Sequence, residues 1–279
     1  MAHKRVLTIQ DYSSMGRCSL TTALPIISSC LVECVGLPSC ILSNHTQFKK
    51  WELCDLTSYM VPFVNMWDNY NHHFDAIYTG YLLDSQIDNT AKIIKKLKDN
   101  NTLIVIDPAM ADNGVLYPGF TKEHIKKVKE LISLGDIIIP NISELAFLTD
   151  NNIKDNYSPD EISSMLSSLS SNNQKKIILT GIKEEKYNMT YLYNKKITIF
   201  KNKNLGGKYH GSGDLFASII VGSYLQTNNL NKSIKLAMKT TYKSIKYTIK
   251  ENLDGIIYGL NFEQAIPYLS RKLKRYSKI

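Results

Sequence analysis

No stretch of this 279-residue chain strings together the ~18 apolar residues that a membrane span requires. Met1-Ala2-His3-Lys4-Arg5 runs straight into a strand-like segment with no signal-peptide core. The expectation is a cytoplasmic protein with no membrane partner. Cysteine is scarce and unevenly placed: Cys18, Cys30, Cys34, Cys40 and Cys54 all fall in the first fifth, with no C-x-x-C pair and no histidine at zinc-like spacing. That argues against a zinc ribbon or a disulfide framework and predicts reduced thiols, mostly packed as small core residues. Neither common nucleotide fingerprint is present. Gly211-Ser212-Gly213 opens as G-x-G, but Phe216 stands where a dinucleotide loop needs its third glycine. Gly207-Lys208 is followed by Tyr209, so there is no Walker A loop. No internal repeat suggests a solenoid. Acidic residues are the minority, 25 against 34 Lys+Arg, for a formal net charge of +9. The lysines are dispersed, and their densest clusters, 235–250 and Arg271-Lys272-Leu273-Lys274-Arg275, read as solvated helix faces, with no nucleic-acid partner expected.

What is present is an alternation of short apolar runs and helical patterns. Hydrophobic residues make up 43% of the chain, which at this length is enough for a large core. Strands are expected at 5–10, 34–38, 40–43, 76–78, 102–106, 136–139 and 176–180, with an antiparallel hairpin from 190–193 and 197–201. Helices are expected at 19–30, 55–70, 85–100, 121–134, 143–148, 159–169, 214–226, 232–249 and from 262 onward. Runs buried on both faces, each followed by a helix, indicate an α/β fold with a mostly parallel sheet and right-handed crossovers. Residues 1–279 are expected to form one domain. Ligand chemistry then belongs beyond the carboxyl ends of the strands.

Polar residues collect at those ends: Asp11, Thr46, Thr79-Gly80-Tyr81, Asp107, Asn141 with Glu144, Thr180-Gly181, and Asp214. Any one of them alone reads as a turn or cap. Asn141 and Glu144, three apart at a helix start, fit either a capping pair or a metal pair. Together the set suits phosphoryl transfer. Asp107, Asp112 and Glu144 are oxygen donors for a Mg²⁺ that accompanies ATP. The amides of Gly211, Ser212 and Gly213, at the start of a buried helix, would stabilise charge on a moving phosphoryl group, and Asp214 could take a proton from a substrate hydroxyl.

Gly211-Ser212-Gly213-Asp214 with the apolar helix behind it resembles the G-[AT]-G-D signature of ribokinase-like sugar and vitamin kinases. Four further segments narrow the resemblance to the pyridoxal kinases: 6–10 with the Gly16 turn, Ser43-Asn44-His45-Thr46, Thr79-Gly80-Tyr81, and Asp107-Pro108 with Pro140-Asn141-Ile142-Ser143-Glu144. The resemblance implies a ribokinase-like three-layer α/β/α fold with a small antiparallel hairpin. It implies ATP-dependent phosphorylation of the 5′-hydroxyl of pyridoxal, pyridoxamine or pyridoxine, with Asp214 as base and Gly211, Ser212 and Gly213 as the anion hole. By the same likeness Thr46 and Tyr81 contact the pyridine ring, and Asp11 stands where many members carry a serine near the ring nitrogen. Cys18 lies beside that region, either as packing or as a thiol facing the aldehyde. Asp107 and Asn141, with Glu144 and Asp112 toward Mg²⁺, match the ATP side; Thr180 and Gly181 match a nucleotide-contacting turn, and 202–210, ending in His210, would border the adenine. ATP and Mg²⁺ are implied, a monovalent cation is allowed, and a homodimer is the expected assembly. The alternative is a hydroxymethylpyrimidine kinase, whose members usually carry Cys at the position of Asp214. More remote is a non-catalytic ligand-binding protein on the same scaffold.

Overall fold

Strands that are apolar on both faces must be covered on both, and successive residues of this sheet divide between two cores accordingly. A computed structural model describes residues 3–70, 72–171, 174–255 and 257–277. The strands are β1 (Arg5–Ser13), β2 (Glu33–Leu42), β3 (Leu53–Asp55), β4 (Ala76–Thr79), β5 (Leu103–Ile106), β6 (Ala111–Asp112), β7 (Val115–Leu116), β8 (Ile137–Ile138), β9 (Lys176–Lys183), β10 (Tyr187–Asn194) and β11 (Lys196–Lys203). The helices are α1 (Ser19–Ser29), α2 (Thr57–Met66), α3 (Asp84–Leu97), α4 (Lys122–Ile132), α5 (Ile142–Leu148), α6 (Pro159–Leu169), α7 (Ser212–Thr227), α8 (Leu230–Lys250) and α9 (Ile266–Ser277).

Nine strands form one sheet in the order β11-β10-β9-β8-β5-β4-β1-β2-β3. The pairs from β9 through β2 are parallel, while β3 and the β10–β11 hairpin add antiparallel edges. On one face Leu7, Ile9, Ile77, Ile104, Ile106 and Leu179 pack with residues of α2 to α6. On the other Val6, Ala76, Tyr78, Val105, Ile137 and Ile178 pack with α1, α7, α8 and α9. The result is three layers, helix on sheet on helix. Local signals agree with this arrangement. Ser158 caps α6 in a capping box with Glu161, Pro159 takes the first turn, and Asn229 caps α8 through the Lys232 amide.

Three expectations need adjustment. The runs at 34–38 and 40–43 are one strand, β2, and Pro38 sits inside it. β3 pairs only with residues 40 to 42, so the missing Pro38 donor falls where β2 has a partner on one side alone. The helical pattern at 55–70 forms α2 only between Thr57 and Met66, then tightens into a 3-10 turn, Trp67–Asn69. β3 and the two-residue pair β6–β7 were not expected, being too short to carry a period.

Ile104, fully buried in the centre of β5, tests the core. Ile104→Ala should lower unfolding free energy by about 2–5 kcal/mol, read from urea denaturation.

Candidate active site

Two helix N-termini meet at the carboxyl ends of the strands. The first amides of α7 have no intrahelical acceptor, and the chain enters α7 through Gly211, whose φ of 70° lies in the left-handed region. A Cβ at Gly211 would collide with the carbonyl oxygen of Arg17, so glycine is required on two counts. The loop before α1 is pressed against this point and tied behind it: the Arg17 amide donates to the Tyr258 carbonyl at 3.2 Å, and its guanidinium pairs with Glu263 at 2.7 Å. Directly after this loop, at the first residue of α1, the Ser19 amide donates to the carboxylate of Asp214. Asp214 keeps some exposure as a residue, but its carboxyl is enclosed. Burial, with the charge of Asp11 added, pushes it up to about 6 against the pull of the Ser19 amide. Gly213 faces open space, with nothing close to the position a side chain would take.

Asp11, 3% exposed, stands opposite a bulge in β2: between the pairs Gln10–Pro38 and Tyr12–Ile41 it faces two residues, Ser39 and Cys40. Its carboxylate accepts from Ser13 Oγ at 2.9 Å, and burial raises its pKa. The charge of Asp11 acts on Asp214, Cys18 and Tyr81, which places these four in one neighbourhood. Burial, then Asp11 and Asp214, hold the Cys18 thiol well above its ordinary range, so it sits protonated. Burial pushes the Tyr81 phenol to about 12, and Cys40 is a further neighbour.

The next loop is anchored by His45. A Cβ on Gly16 would strike its ring, Nε2 donates to the Ile257 carbonyl at 2.7 Å, and Nδ1 accepts the Gln47 amide at 3.3 Å. Its ring stacks on His210 with centroids 3.9 Å apart and planes 20° apart. Burial and His45 hold His210 down at about 4, so the pair stacks as neutral rings. Thr46 follows on an exposed turn. His210, the residue before Gly211, thus ties the His45 loop to the entry of α7, and its own amide donates to the Gly255 carbonyl at 3.0 Å.

Asn141, Glu144, Thr180 and Gly181 do come together. Asn141 caps α5 by accepting the Glu144 amide at 3.0 Å, while Glu144 Oε2 accepts the Asn141 amide at 2.8 Å. Capping is therefore real, but it leaves Glu144 Oε1 to accept the Met110 amide at 3.1 Å, and Asn141 Nδ2 donates to the Ala111 carbonyl at 2.7 Å. The pair thereby holds the segment leading into β6 against α5. Burial pushes Glu144 up to about 8. Thr180 donates its amide to Pro140 at 2.9 Å and forms a parallel bridge with Asn141, and Gly181, φ 78°, passes close to the Asn141 side chain. Asp107 has its pKa raised by burial, then by Glu144 and Asp214. Asp112 is exposed at the rim but near enough to raise Glu144 further.

Sequence reasoning passed over Arg17, Ser19 and Tyr117. Arg17 acts through its carbonyl and amide and, with Glu263, 246 positions away, through its guanidinium, and the part Ser19 plays at Asp214 is that of a backbone amide; neither leaves a local sequence signal. Tyr117, whose phenol feels Glu144, Asp107, Asp112 and Asp214, was one aromatic in a turn-rich segment.

The sheet order, the glycine-led α7 and the acids beneath it define a kinase of the ribokinase-like class. A family model described as phosphomethylpyrimidine kinase matches residues 69–256, and the chain belongs to that family. A pyridoxal kinase of Dictyostelium discoideum is 27% identical over 298 residues, covering 98% of this chain and 97% of the relative. A Bacteroides thetaiotaomicron protein named as a phosphomethylpyrimidine kinase is 33% identical, covers 96% of this chain and 94% of its own, and superposes with a TM-score of 0.92. A second crystal form of it, with pyridoxal, has a TM-score of 0.90. Lactobacillus plantarum pyridoxal kinase, at 22% identity, shares the fold with a TM-score of 0.90 over 98% of this chain and 99% of its own.

Gly211→Ala should cost both stability and rate. A side chain there strains the left-handed backbone by about 1–2 kcal/mol and displaces the Arg17 carbonyl, so thermal unfolding should move down and kcat should drop at least tenfold in steady-state kinetics. Unchanged kcat would show that the brace on Asp214 is dispensable.

Proposed function

We propose that this chain transfers the γ-phosphoryl group of ATP to the 5′-hydroxyl of pyridoxal, pyridoxamine or pyridoxine. Asp214 carries the reading: an enclosed carboxyl at the start of α7, held by the Ser19 amide and with its pKa pushed up to about 6, is still ionised at neutral pH and is basic enough to accept a hydroxyl proton. The likeness to pyridoxal kinases and to a relative solved with pyridoxal supports the vitamer as acceptor.

On this reading Asp214 takes the proton of the attacking hydroxyl as the oxygen closes on the γ-phosphorus. The free amides at the α7 start, Ser212 and Gly213, donate to the phosphoryl oxygens, a role that needs no lysine. Tyr81 offers a ring face to the flat substrate. Asp11 and Thr46 border the pyridine, with Cys18 beside them as a protonated thiol. Asn141, Thr180 and Gly181 form the floor beneath the nucleotide, and His210 braces the entry to the anion hole.

Mg²⁺ fits the donors present. Burial, Glu144 and Asp214 all disfavour charge on Asp107, a balance that a bound cation would reverse. Asp107 and Glu144 would hold the ion, with Asp112 at its rim. Among the described residues no three His, Cys, Asp or Glu side chains gather as a metal cage, so phosphate and water would complete its shell. When bound, it neutralises charge on the phosphates. Five free thiols support a reducing, cytoplasmic setting.

The name of the matched family favours a second reading, phosphorylation of hydroxymethylpyrimidine. Kinetics with the three B6 vitamers and hydroxymethylpyrimidine decide between them, the largest kcat/KM naming the substrate; a vitamer is expected to lead by at least tenfold. Asp214→Asn should lower kcat about 10²–10⁴-fold while ATP binding by calorimetry is retained. Near-normal turnover would remove Asp214 as base. Protonation of Asp214 removes the base, so kcat/KM should fall on acidification with a midpoint near pH 6 and lose this limb in Asp214→Asn. A flat profile down to pH 5 contradicts the assignment.

A further inference from the structure

Behind Tyr81 stands a column of rings that the proposed mechanism does not use. The Tyr81 ring stacks on Phe120, with centroids 5.4 Å and planes 23° apart. Phe120 in turn stacks on His124, at 3.6 Å and 9°. His124 lies in the first turns of α4 and is 1% exposed, a costly place for an imidazole unless its polar atoms are satisfied. Its Nδ1 donates to the carboxylate of Asp84, the first residue of α3. Lys127 Nζ reaches the Asp84 carbonyl at 3.1 Å and the Asp88 carboxylate at 2.9 Å, so the anchor is itself held. Burial keeps the His124 pKa low against the pull of Asp84.

Packing alone does not call for this arrangement. A leucine at 124 would fill the same space without needing an acceptor, whereas an imidazole tied at one nitrogen has its ring plane fixed. That plane is transmitted to Phe120 at 9° and to Tyr81 at 23°. Tyr117 flanks both Tyr81 and Phe120 at 6.3 Å and closes the side toward the acid cluster. An aromatic platform that meets a flat heteroaromatic ring binds best when its plane is set in advance, because no rotamer freedom is then lost on binding.

We propose that Phe120 and His124, locked by Asp84, are positioning residues that set the plane of the Tyr81 ring and thereby determine affinity for the ring of the phosphoryl acceptor, without touching it. This rests on the proposed contact between Tyr81 and the vitamer. The column acts on one substrate only. On the proposed reading nucleotide affinity resides with Asn141, Thr180 and Gly181, and the ring stacking of the column runs from Tyr81 to Phe120 and His124.

The test measures KM for pyridoxal, KM for ATP and kcat in purified Tyr81→Leu, Phe120→Leu, Phe120→Tyr and the Tyr81→Leu/Phe120→Leu double variant. Tyr81→Leu and Phe120→Leu should each raise the pyridoxal KM about three- to tenfold, the range expected for one lost aromatic contact, with the ATP KM within twofold. Phe120→Tyr, which keeps the ring face, should restore the wild-type value, and the double variant should be no worse than the worse single one. His124→Gln keeps a donor for Asp84 but loses the ring, and reads the same way if Phe120→Leu does not accumulate. If Tyr81→Leu raises the pyridoxal KM and neither Phe120→Leu nor His124→Gln does, the column is packing only and the proposal fails while the Tyr81 contact stands. An unchanged pyridoxal KM in Tyr81→Leu overturns the contact itself, and the proposal with it.

Discussion

The site depends on one close approach of backbone to backbone. The carbonyl of Arg17 occupies the space that a side chain would need at Gly211, and also lies close to where one would stand at Gly259. Three segments far apart in sequence are thereby pinned together: the loop into α1, the turn into α7 and the stretch before α9. Arg17 fastens the contact from behind through Tyr258 and Glu263. Only with that loop in place does the Ser19 amide reach Asp214. A helix terminus alone would attract any anion; the brace makes it a terminus with a carboxyl held at a fixed point beside free amides.

Around this point the protein gathers acids rather than bases. Asp11, Asp107, Glu144 and Asp214 are each raised by burial, and Glu144 and Asp214 also act on Asp107. Hydrogen-bond donors offset part of this cost: the Ser19 amide for Asp214, the Asn141, Met110 and Ala111 amides for Glu144, and the Ser13 hydroxyl for Asp11. For Asp107 the neighbouring acids Glu144 and Asp214 add to the cost of burial, and no basic side chain is among the groups that act on it.

Much of this was legible in the order of residues. The apolar runs at 102–106 and 176–180 could only be central strands, and the polar groups after them had to lie at one edge of the sheet. Asp214 behind two glycines announced a helix start, and Asn141 with Glu144 fitted either a cap or a metal pair; the structure shows the cap and joins it to the segment entering β6. What could not be read depended on backbone or on distance in sequence. The contact of Gly211 with the Arg17 carbonyl has no side-chain signal. The stack of His45 on His210 joins residues 165 positions apart by their numbering. β3 and the β6–β7 pair are too short to show alternation, and Phe120 and His124 look like ordinary members of a loop and an amphipathic helix until Asp84 is seen against them.

The identity of residue 214 follows from the same burial. Enclosure penalises the charged form of any acid, so what matters is where the acid starts. A carboxyl starts low, and here it rises only to about 6, which leaves it ionised and basic at neutral pH. The thiol of Cys18, enclosed close by and facing the charges of Asp11 and Asp214, is driven well above its ordinary range and stays protonated. A cysteine in place of Asp214, as in the hydroxymethylpyrimidine kinases that the sequence resembles, would meet the same enclosure and the same Asp11. Asp11 adds to the rise at Asp214 and still leaves it a carboxylate at neutral pH.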